Sequence, residues 1–242
     1  MRPALLIARK ELAGFFDAPL AYLATIAFLA ITGFFTWWFG TDIFMRGLAD
    51  LDTFLGVAGW ALFILVPALT MRTLAEERKS GTLDLLLTRA VTPSQIVLGK
   101  FMACMALIAL ILACTLPYYA TVAWLGPVDH GRVICGYTGL LLVSAFYLAL
   151  GLLASSLTAS QIAAYIIALS AMAFFHFGAS VVAENSLGTV GQVFSYLDSG
   201  NHFHSLSRGV IDSRDLVYYL TFTWAGLLLA GHELARKGVR RA

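Results

Sequence analysis

Six apolar segments alternate with polar connections along the chain. A helix needs about 20 apolar residues to cross about 30 Å of hydrocarbon. The six segments cover residues 19–39, 54–74, 96–125, 134–155, 161–182 and 217–234. The pattern therefore predicts an all-α membrane protein with six transmembrane helices.

Two connections near the end of the chain differ in character. Residues 155–160 are few and polar, which predicts a tight antiparallel hairpin between the fourth and fifth spans. Residues 184–215 alternate short apolar stretches with glycines, a pattern that favours short helices and turns. We expect one short helix at 190–197, another at 203–210, and a turn at 199–201 between them. These stretches are too short to span and too apolar for an exposed loop, so we expect them to re-enter the membrane.

Composition excludes a soluble fold. Hydrophobic residues make up 60% of the chain and charged residues only 12%, whereas soluble domains have about 25% charged residues. Cys104, Cys114 and Cys135 lie in or beside apolar segments without metal-binding spacing, which is typical of packing residues. No metal site is expected from them.

The distribution of positive charge orients the spans. Four arginines, at 46, 132, 208 and 214, fall on one side, and the other 12 of the 16 Lys and Arg residues fall on the opposite side. Cytoplasmic loops carry the excess of Lys and Arg. We therefore expect both termini and the 75–95 loop in the cytoplasm, the 184–215 segment outside, and the protein in the bacterial inner membrane.

An amphipathic segment precedes the first span. The charged residues Arg9, Lys10 and Glu11 alternate with apolar positions, a pattern typical of a helix at the membrane interface. The apolar positions are Leu5, Leu6, Leu12, Phe15 and Phe16. Anionic lipid is one partner for such a helix, and contact with a soluble partner is compatible with it.

The 75–95 loop is longer than a simple connection requires. Leu83, Leu86 and Leu87 have helical spacing and form one apolar face. Thr92 and Pro93 are typical of a helix start, which here begins the third span. The loop therefore holds a short amphipathic helix. It lies either on the lipid surface or in a groove of a soluble protein. The mixed charges of Glu76, Glu77, Arg78, Lys79 and Asp84 favour the protein groove.

Residues 76–88, which read EERKSGTLDLLLT, resemble the EER..GTLE.LL motif of ABC-2-type transporter permeases. In that family the motif also lies between the second and third spans. The segment 8–22 resembles the family's amphipathic entry helix, and the segment 208–218 resembles the gliding-motility (Gld-type) branch. The resemblance covers nearly the whole chain, which implies one ABC-2-type transmembrane domain over 1–242.

The resemblance implies a permease subunit of an ATP-driven exporter. Its expected partners are two copies of a cytoplasmic ABC ATPase, a second permease that is identical or related, and membrane lipids. A periplasmic accessory protein is compatible with it, and no nucleic acid is expected. The sequence contains no G-x-x-x-x-G-K-[ST] motif. We therefore expect no enzyme activity and no cofactor in this chain, with ATP and Mg²⁺ bound by the partner ATPase.

The resemblance also assigns roles to residues. The segment 9–11 belongs to the interfacial entry helix, and Phe194, Tyr196 and Phe203 are expected in an external gate. The ATPase-coupling residues it implies are Glu76, Glu77, Arg78, Gly81, Thr82, Leu83, Asp84, Leu86 and Leu87.

Other functions have weaker support in the sequence. A rhomboid-like intramembrane serine protease would pair Ser180 with His232, but the predicted topology puts them at opposite ends of their spans. His176, one turn before Ser180, is the other histidine within reach. His202 and His204, with His130, are too sparse to indicate a metal site.

A six-span scaffold would have little use for a structured cytoplasmic loop. We expect essentially no charge between the ends of the spans, which argues against an ion-coupled carrier.

Overall fold

The computed structural model describes residues 2–39, 47, 49–79, 92–186 and 188–239. This part of the chain is helical and contains no strand. The predicted coupling helix, with Gly81, Thr82, Leu83, Asp84, Leu86 and Leu87, lies outside the described residues. The helices are α1 (Arg2–Asp17), α2 (Leu20–Trp37), α3 (Asp52–Thr70), α4 (Ala75–Lys79), α5 (Pro93–Ala113), α6 (Leu116–Leu125), α7 (His130–Leu157), α8 (Gln161–Ala173), α9 (Ala179–Asn185), α10 (Thr189–Leu197), α11 (Ser199–Ser207) and α12 (Ser213–Val239).

Five helical segments of the described chain are long and apolar enough to cross a membrane. They are Leu20–Trp37, Asp52–Lys79, Pro93–Leu125, His130–Leu157 and Gln161–Asn185. These segments overlap the first five predicted spans. The sixth predicted span forms α12, whose 27 residues make it about 40 Å long. Helix α12 is not among the five segments that are apolar enough to cross a membrane.

Two of the long segments are interrupted. The third has α5 and α6 in succession, with Pro117 in the first turn of α6, where its missing N–H leaves no helical hydrogen bond unmade. In the fifth, a π-helical turn at Phe174–Gly178 separates α8 from α9.

Helix α7 is the centre of the bundle, and α3, α5, α8, α11 and α12 pack against it. Small residues allow this close packing. A Cβ atom at Gly151 would lie 2.2 Å from the Thr70 hydroxyl oxygen on α3. On the α12 side, a Cβ atom at Gly226 would lie 3.0 Å from that of Ala149. Helix α12 is therefore an integral member of the bundle.

Helix α1 packs directly on α5. A Cβ atom at Gly99 would lie 2.8 Å from both the Ala4 carbonyl oxygen and the Ile7 Cβ atom. Leu5 and Leu6, by contrast, are exposed. The apolar residues of α1 therefore do not all face the bundle, because Leu5 and Leu6 lie on the surface that an interfacial helix presents to lipid.

The segment between the fifth and sixth predicted spans folds into a helical hairpin of α10 and α11, but its turn is shifted from the predicted one. The Asp198 carboxylate accepts a hydrogen bond from the Gly200 N–H at 2.9 Å. This N-cap starts α11 at Ser199, so the predicted turn residues 199–201 are helical. Helix α11 ends at Ser207. It is followed by Gly209, whose φ of +88° is a conformation that glycine adopts readily.

Replacement of Gly99 by leucine is predicted to displace α1 from α5. The added side chain meets α1 backbone and side-chain atoms, so we expect a loss of stability of about 1–3 kcal/mol, typical of overpacking. Thermal unfolding of the purified protein in detergent measures the effect. Gly56→Leu is the control, because a Cβ atom at Gly56 meets nothing within 4 Å. Equal unfolding midpoints for the two variants would contradict the packing described.

Candidate functional site

A buried lysine joins three helices at one end of the bundle. The Lys100 ammonium, on α5, lies 2.8 Å from a Glu11 carboxylate oxygen on α1 and 2.8 Å from a Glu77 carboxylate oxygen on α4. The Lys100 side chain is only 1% exposed, and the two glutamates are 23% and 20% exposed. We call these three residues the Lys100 triad.

Burial makes the triad a strong constraint. An ammonium group removed from water loses several kcal/mol of hydration free energy, and only well-placed opposite charges offset that loss. Two carboxylates at hydrogen-bond distance meet this requirement. Because Glu11 and Glu77 belong to separate helices, neither α1 nor α4 can leave α5 without exposing or stranding a charge.

A serine of α7 holds the start of α4. The Ser155 hydroxyl oxygen accepts hydrogen bonds from the N–H groups of Leu74 and Ala75, at 3.2 and 3.0 Å. The first N–H groups of a helix have no partner inside the helix, so Ser155 satisfies two of them. Ser155 is buried. Helix α4 is therefore fixed to α7 at its start and to α5 near its end.

The predicted coupling residues that the structure describes do not all face the same way. Glu76 is exposed, Glu77 turns inward to Lys100, and Arg78 is half-buried. In the predicted entry helix, Arg9 and Lys10 are exposed, while Glu11 joins the triad. Two sets of residues predicted separately therefore meet at one lysine.

Sequence reasoning missed Lys100 and Ser155. The expectation of essentially no charge between the ends of the spans is wrong at Lys100, which lies two turns inside α5, about 10 Å from its first residue. The ammonium is tolerated there because Glu11 and Glu77 neutralise it. A single lysine within the apolar segment 96–125 was the signal that could have found it.

A charged cavity of about 350 Å³ adjoins the triad. Its walls come from α1, from the end of the second span and from Lys100. The charged residues that line it are Lys10, Glu11, Arg72, Glu76, Glu77 and Lys100. A cavity of mixed charge between the entry helix and the EER motif can accept polar groups of a partner protein.

At the opposite end of the bundle, a histidine holds the α10–α11 hairpin against α12. The Nδ1 atom of His202 lies 2.6 Å from an Asp215 carboxylate oxygen, and its Nε2 atom lies 2.9 Å from the Tyr196 carbonyl oxygen. A carbonyl only accepts, so Nε2 donates to Tyr196. The contact between Nδ1 and Asp215 joins α11 to α12.

Tyrosines of α12 extend this contact. The Tyr218 hydroxyl donates to the Leu197 carbonyl at 2.8 Å, and the Tyr219 hydroxyl donates to the Ser199 carbonyl at 2.8 Å. The Tyr218 ring stacks on His202 with centroids 4.2 Å apart. Beside them, burial raises the pKa of the Asp198 carboxyl, partly opposed by the N–H groups it accepts from. The hairpin is thus joined to α12 mainly by polar contacts.

The three predicted gate residues have different surroundings. Tyr196 is exposed and lies edge-on to His202. Phe194 is half-buried, with its ring near that of Phe174. Phe203 is buried against α3, where a Cβ atom at Gly59 would lie 3.2 Å from its ring.

The structure does not assemble the alternative sites. The Ser180 hydroxyl donates to the Phe177 carbonyl at 2.8 Å, and His176 contacts the Tyr147 hydroxyl at 2.9 Å. His176 and Ser180 therefore have other hydrogen-bond partners. Both nitrogens of His202 are occupied, and the described residues contain no group of three or more metal-binding side chains.

These features define a multi-pass helical membrane protein with polar and charged contacts at both ends of the bundle. A family model described as ABC-2 family transporter protein matches residues 45–229, which is more than half of the 242 residues. The chain belongs to the ABC-2 transporter family and is a permease component of an ABC transporter. No curated protein matches it. The matched region contains the EER motif, Lys100 and the α10–α11 hairpin, while α1 precedes it.

Loss of the Lys100 charge is predicted to destabilise the protein. Lys100→Met leaves two carboxylates facing an apolar side chain, and breaking a buried ion pair costs about 3–5 kcal/mol. The triple variant Lys100→Met, Glu11→Gln, Glu77→Gln removes every charge of the triad, so we expect it to recover most of the loss. The midpoint of thermal unfolding in detergent is the measurement. Lys10→Met is the control, since Lys10 is exposed one position from Glu11. A triple variant no more stable than the single one would contradict the ion-pair explanation.

Removal of the Asp215 side chain is predicted to loosen the hairpin. A hydrogen bond to a charged group contributes about 1.5–3 kcal/mol, so Asp215→Ala should speed amide hydrogen exchange in residues 189–207 by about tenfold or more. Exchange followed by mass spectrometry measures this. The exposed Glu184→Ala is the charge-matched control. Unchanged exchange in α10 and α11 would show that the tyrosines alone hold the hairpin.

Proposed function

We propose that this chain is the permease subunit of an ATP-driven exporter in the bacterial inner membrane. It has six spans, with α12 as the sixth, both termini in the cytoplasm, and one transmembrane domain over 1–242. Two copies of a separate ATPase bind ATP and Mg²⁺ and dock on the 76–87 segment. The observation that carries this proposal is the Lys100 triad, which links the EER motif to the entry helix and the third span.

Mechanical coupling would pass through two contacts. The ATPase moves the predicted coupling helix around Leu83–Leu87, which follows α4 in the sequence. Glu77 transmits the movement through Lys100 to α5 and, by way of Glu11, to α1. Ser155 transmits it to α7 through the start of α4. Because α7 contacts most of the bundle, a small displacement of α4 can change the packing of the whole domain.

The exposed spans support pairing with a second permease. In their most apolar windows, 28% of the residues in the first span and 17% in the fifth are buried, against 56–67% in the second, third and fourth. The faces of α2 and α8–α9 are therefore the ones available to another subunit or to lipid. We place the partner permease, identical or related, against them.

The α10–α11 hairpin would act as the external gate. It joins α12 through polar contacts, while Phe203 and Leu206 hold α11 in the apolar core, so opening would move α10 more than α11. In this gate Tyr196 and Phe194 move, while Phe203 anchors the hairpin to α3. The segment 208–218, which includes Asp215, also supports placement in the gliding-motility branch of the family.

The double substitution Leu83→Asp with Leu87→Asp is predicted to release the ATPase. Each leucine loses the burial that contributes about 1.5–3 kcal/mol at an interface, while the spans keep the permease folded. Co-purification of the ATPase with the tagged permease is the measurement. Ala159→Asp, in the other predicted cytoplasmic turn, is the control. Undiminished co-purification of the double variant would show that the ATPase docks elsewhere.

A further inference from the structure

A cavity of about 460 Å³ lies between α3, α7, α11 and the π-helical turn, at the same end of the bundle as the hairpin. Glycine, aromatic and basic side chains line most of its wall. The wall includes Gly56, Trp60, Arg132, His176, Phe203 and Arg208. Neither the family nor the proposed coupling mechanism assigns this cavity a role.

The cavity is basic at its rim. Arg132 is paired with Asp52 at 2.7 Å, and its Nε–H donates to the Ser207 carbonyl at 3.2 Å. These contacts neutralise the one carboxylate of the wall. Arg208 and His204 are exposed beside it, and within the described chain the Arg208 guanidinium makes no hydrogen bond or ion pair. The rim therefore presents an unneutralised positive charge.

Another part of the wall is formed by Trp60 and by His176, which an irregular backbone places there. The rings of Trp60 and Phe177 stack with centroids 5.1 Å apart. The π-helical turn at Phe174–Gly178 sets His176 between them and Tyr147, whose hydroxyl it contacts at 2.9 Å. Such single π-helical turns occur frequently at functional sites, and polar side chains inside a membrane are usually functional.

Gly56 keeps the cavity open. A Cβ atom there would meet nothing within 4 Å, unlike Gly59 one turn later, which contacts Phe203. A glycine inside a helix costs about 1 kcal/mol relative to alanine. Packing at position 56 would allow a larger residue. Glycine there therefore keeps the cavity empty.

We propose that this cavity binds the phosphate group of an anionic ligand, with Arg208 as its main contact and Trp60 against the ligand's apolar part. Arginine suits phosphate because its planar guanidinium donates two parallel hydrogen bonds. The ligand is either the headgroup of a phospholipid or a soluble phosphate ester. Access from outside the cell rests on the orientation in the proposed function, but binding itself does not depend on it.

Calorimetric titration of the full-length permease in neutral detergent tests the proposal. The probes are short-chain phosphatidylglycerol and glycerol 1-phosphate, titrated separately. We expect saturable binding of at least one probe, weakened about tenfold or more by Arg208→Gln, as a hydrogen-bonded charge pair predicts. Gly56→Leu should abolish binding without lowering the unfolding midpoint, since leucine favours helix more than glycine does. Arg214→Gln is the control, since Arg214 is exposed on the same segment but does not line this cavity.

The probes also distinguish the sources of the phosphate. Binding of the lipid alone identifies a lipid headgroup site, and comparable binding of both probes identifies a phosphate site open to soluble esters. Binding of neither probe, or an equal effect of Arg208→Gln and Arg214→Gln, would overturn the proposal. Because the permease is tested without its ATPase, failure here leaves the coupling proposal intact, and loss of ATPase docking leaves this site intact.

Discussion

The buried ammonium of Lys100 is the constraint on which one end of the helical bundle depends. A cation with 1% exposure cannot remain charged without carboxylates beside it, and both are supplied from outside its own helix. Glu11 comes from the entry helix and Glu77 from the EER motif. The requirement to neutralise one charge therefore links three helices at a single point.

Close packing makes that constraint effective over a longer distance. Gly99, next to Lys100, brings α1 into direct contact with α5, and Gly151 brings α3 into contact with α7. Helices this close move together, because a shift in one meets the atoms of the next. The α10–α11 hairpin is built differently. Hydrogen bonds and aromatic rings around His202 attach it to α12, and Phe203 and Leu206 hold α11 in the apolar core.

The sequence predicted the parts of the structure that depend on local pattern. Long apolar runs predicted the five helical segments that are long and apolar enough to cross a membrane, and the charges and leucines of 1–16 predicted the amphipathic first helix. Asp198 was also a local signal, because aspartate often caps the start of a helix. The prediction did not use it, and so it placed the turn at residues 199–201, which are helical.

The triad was not predictable in this way, because Lys100 lies 89 residues from Glu11 and 23 from Glu77. Nothing local shows that Glu77 faces inward while Glu76 faces solvent. The π-helical turn at His176 likewise depends on packing against Trp60 and Tyr147.

The central claim is that α1 and α4 move as one unit through the Lys100 triad. Spin labels on the exposed residues Arg9 and Lys79 measure it directly, on a background with Cys104, Cys114 and Cys135 replaced by alanine. In the complex with its ATPase, with labelled permease diluted into unlabelled, the distance between the labels should change by less than about 2 Å when ATP binds. In the chargeless triple variant it should change by more. A shift of about 5 Å in the native triad, one helical turn, would show that the two helices move separately and that Lys100 does not couple them.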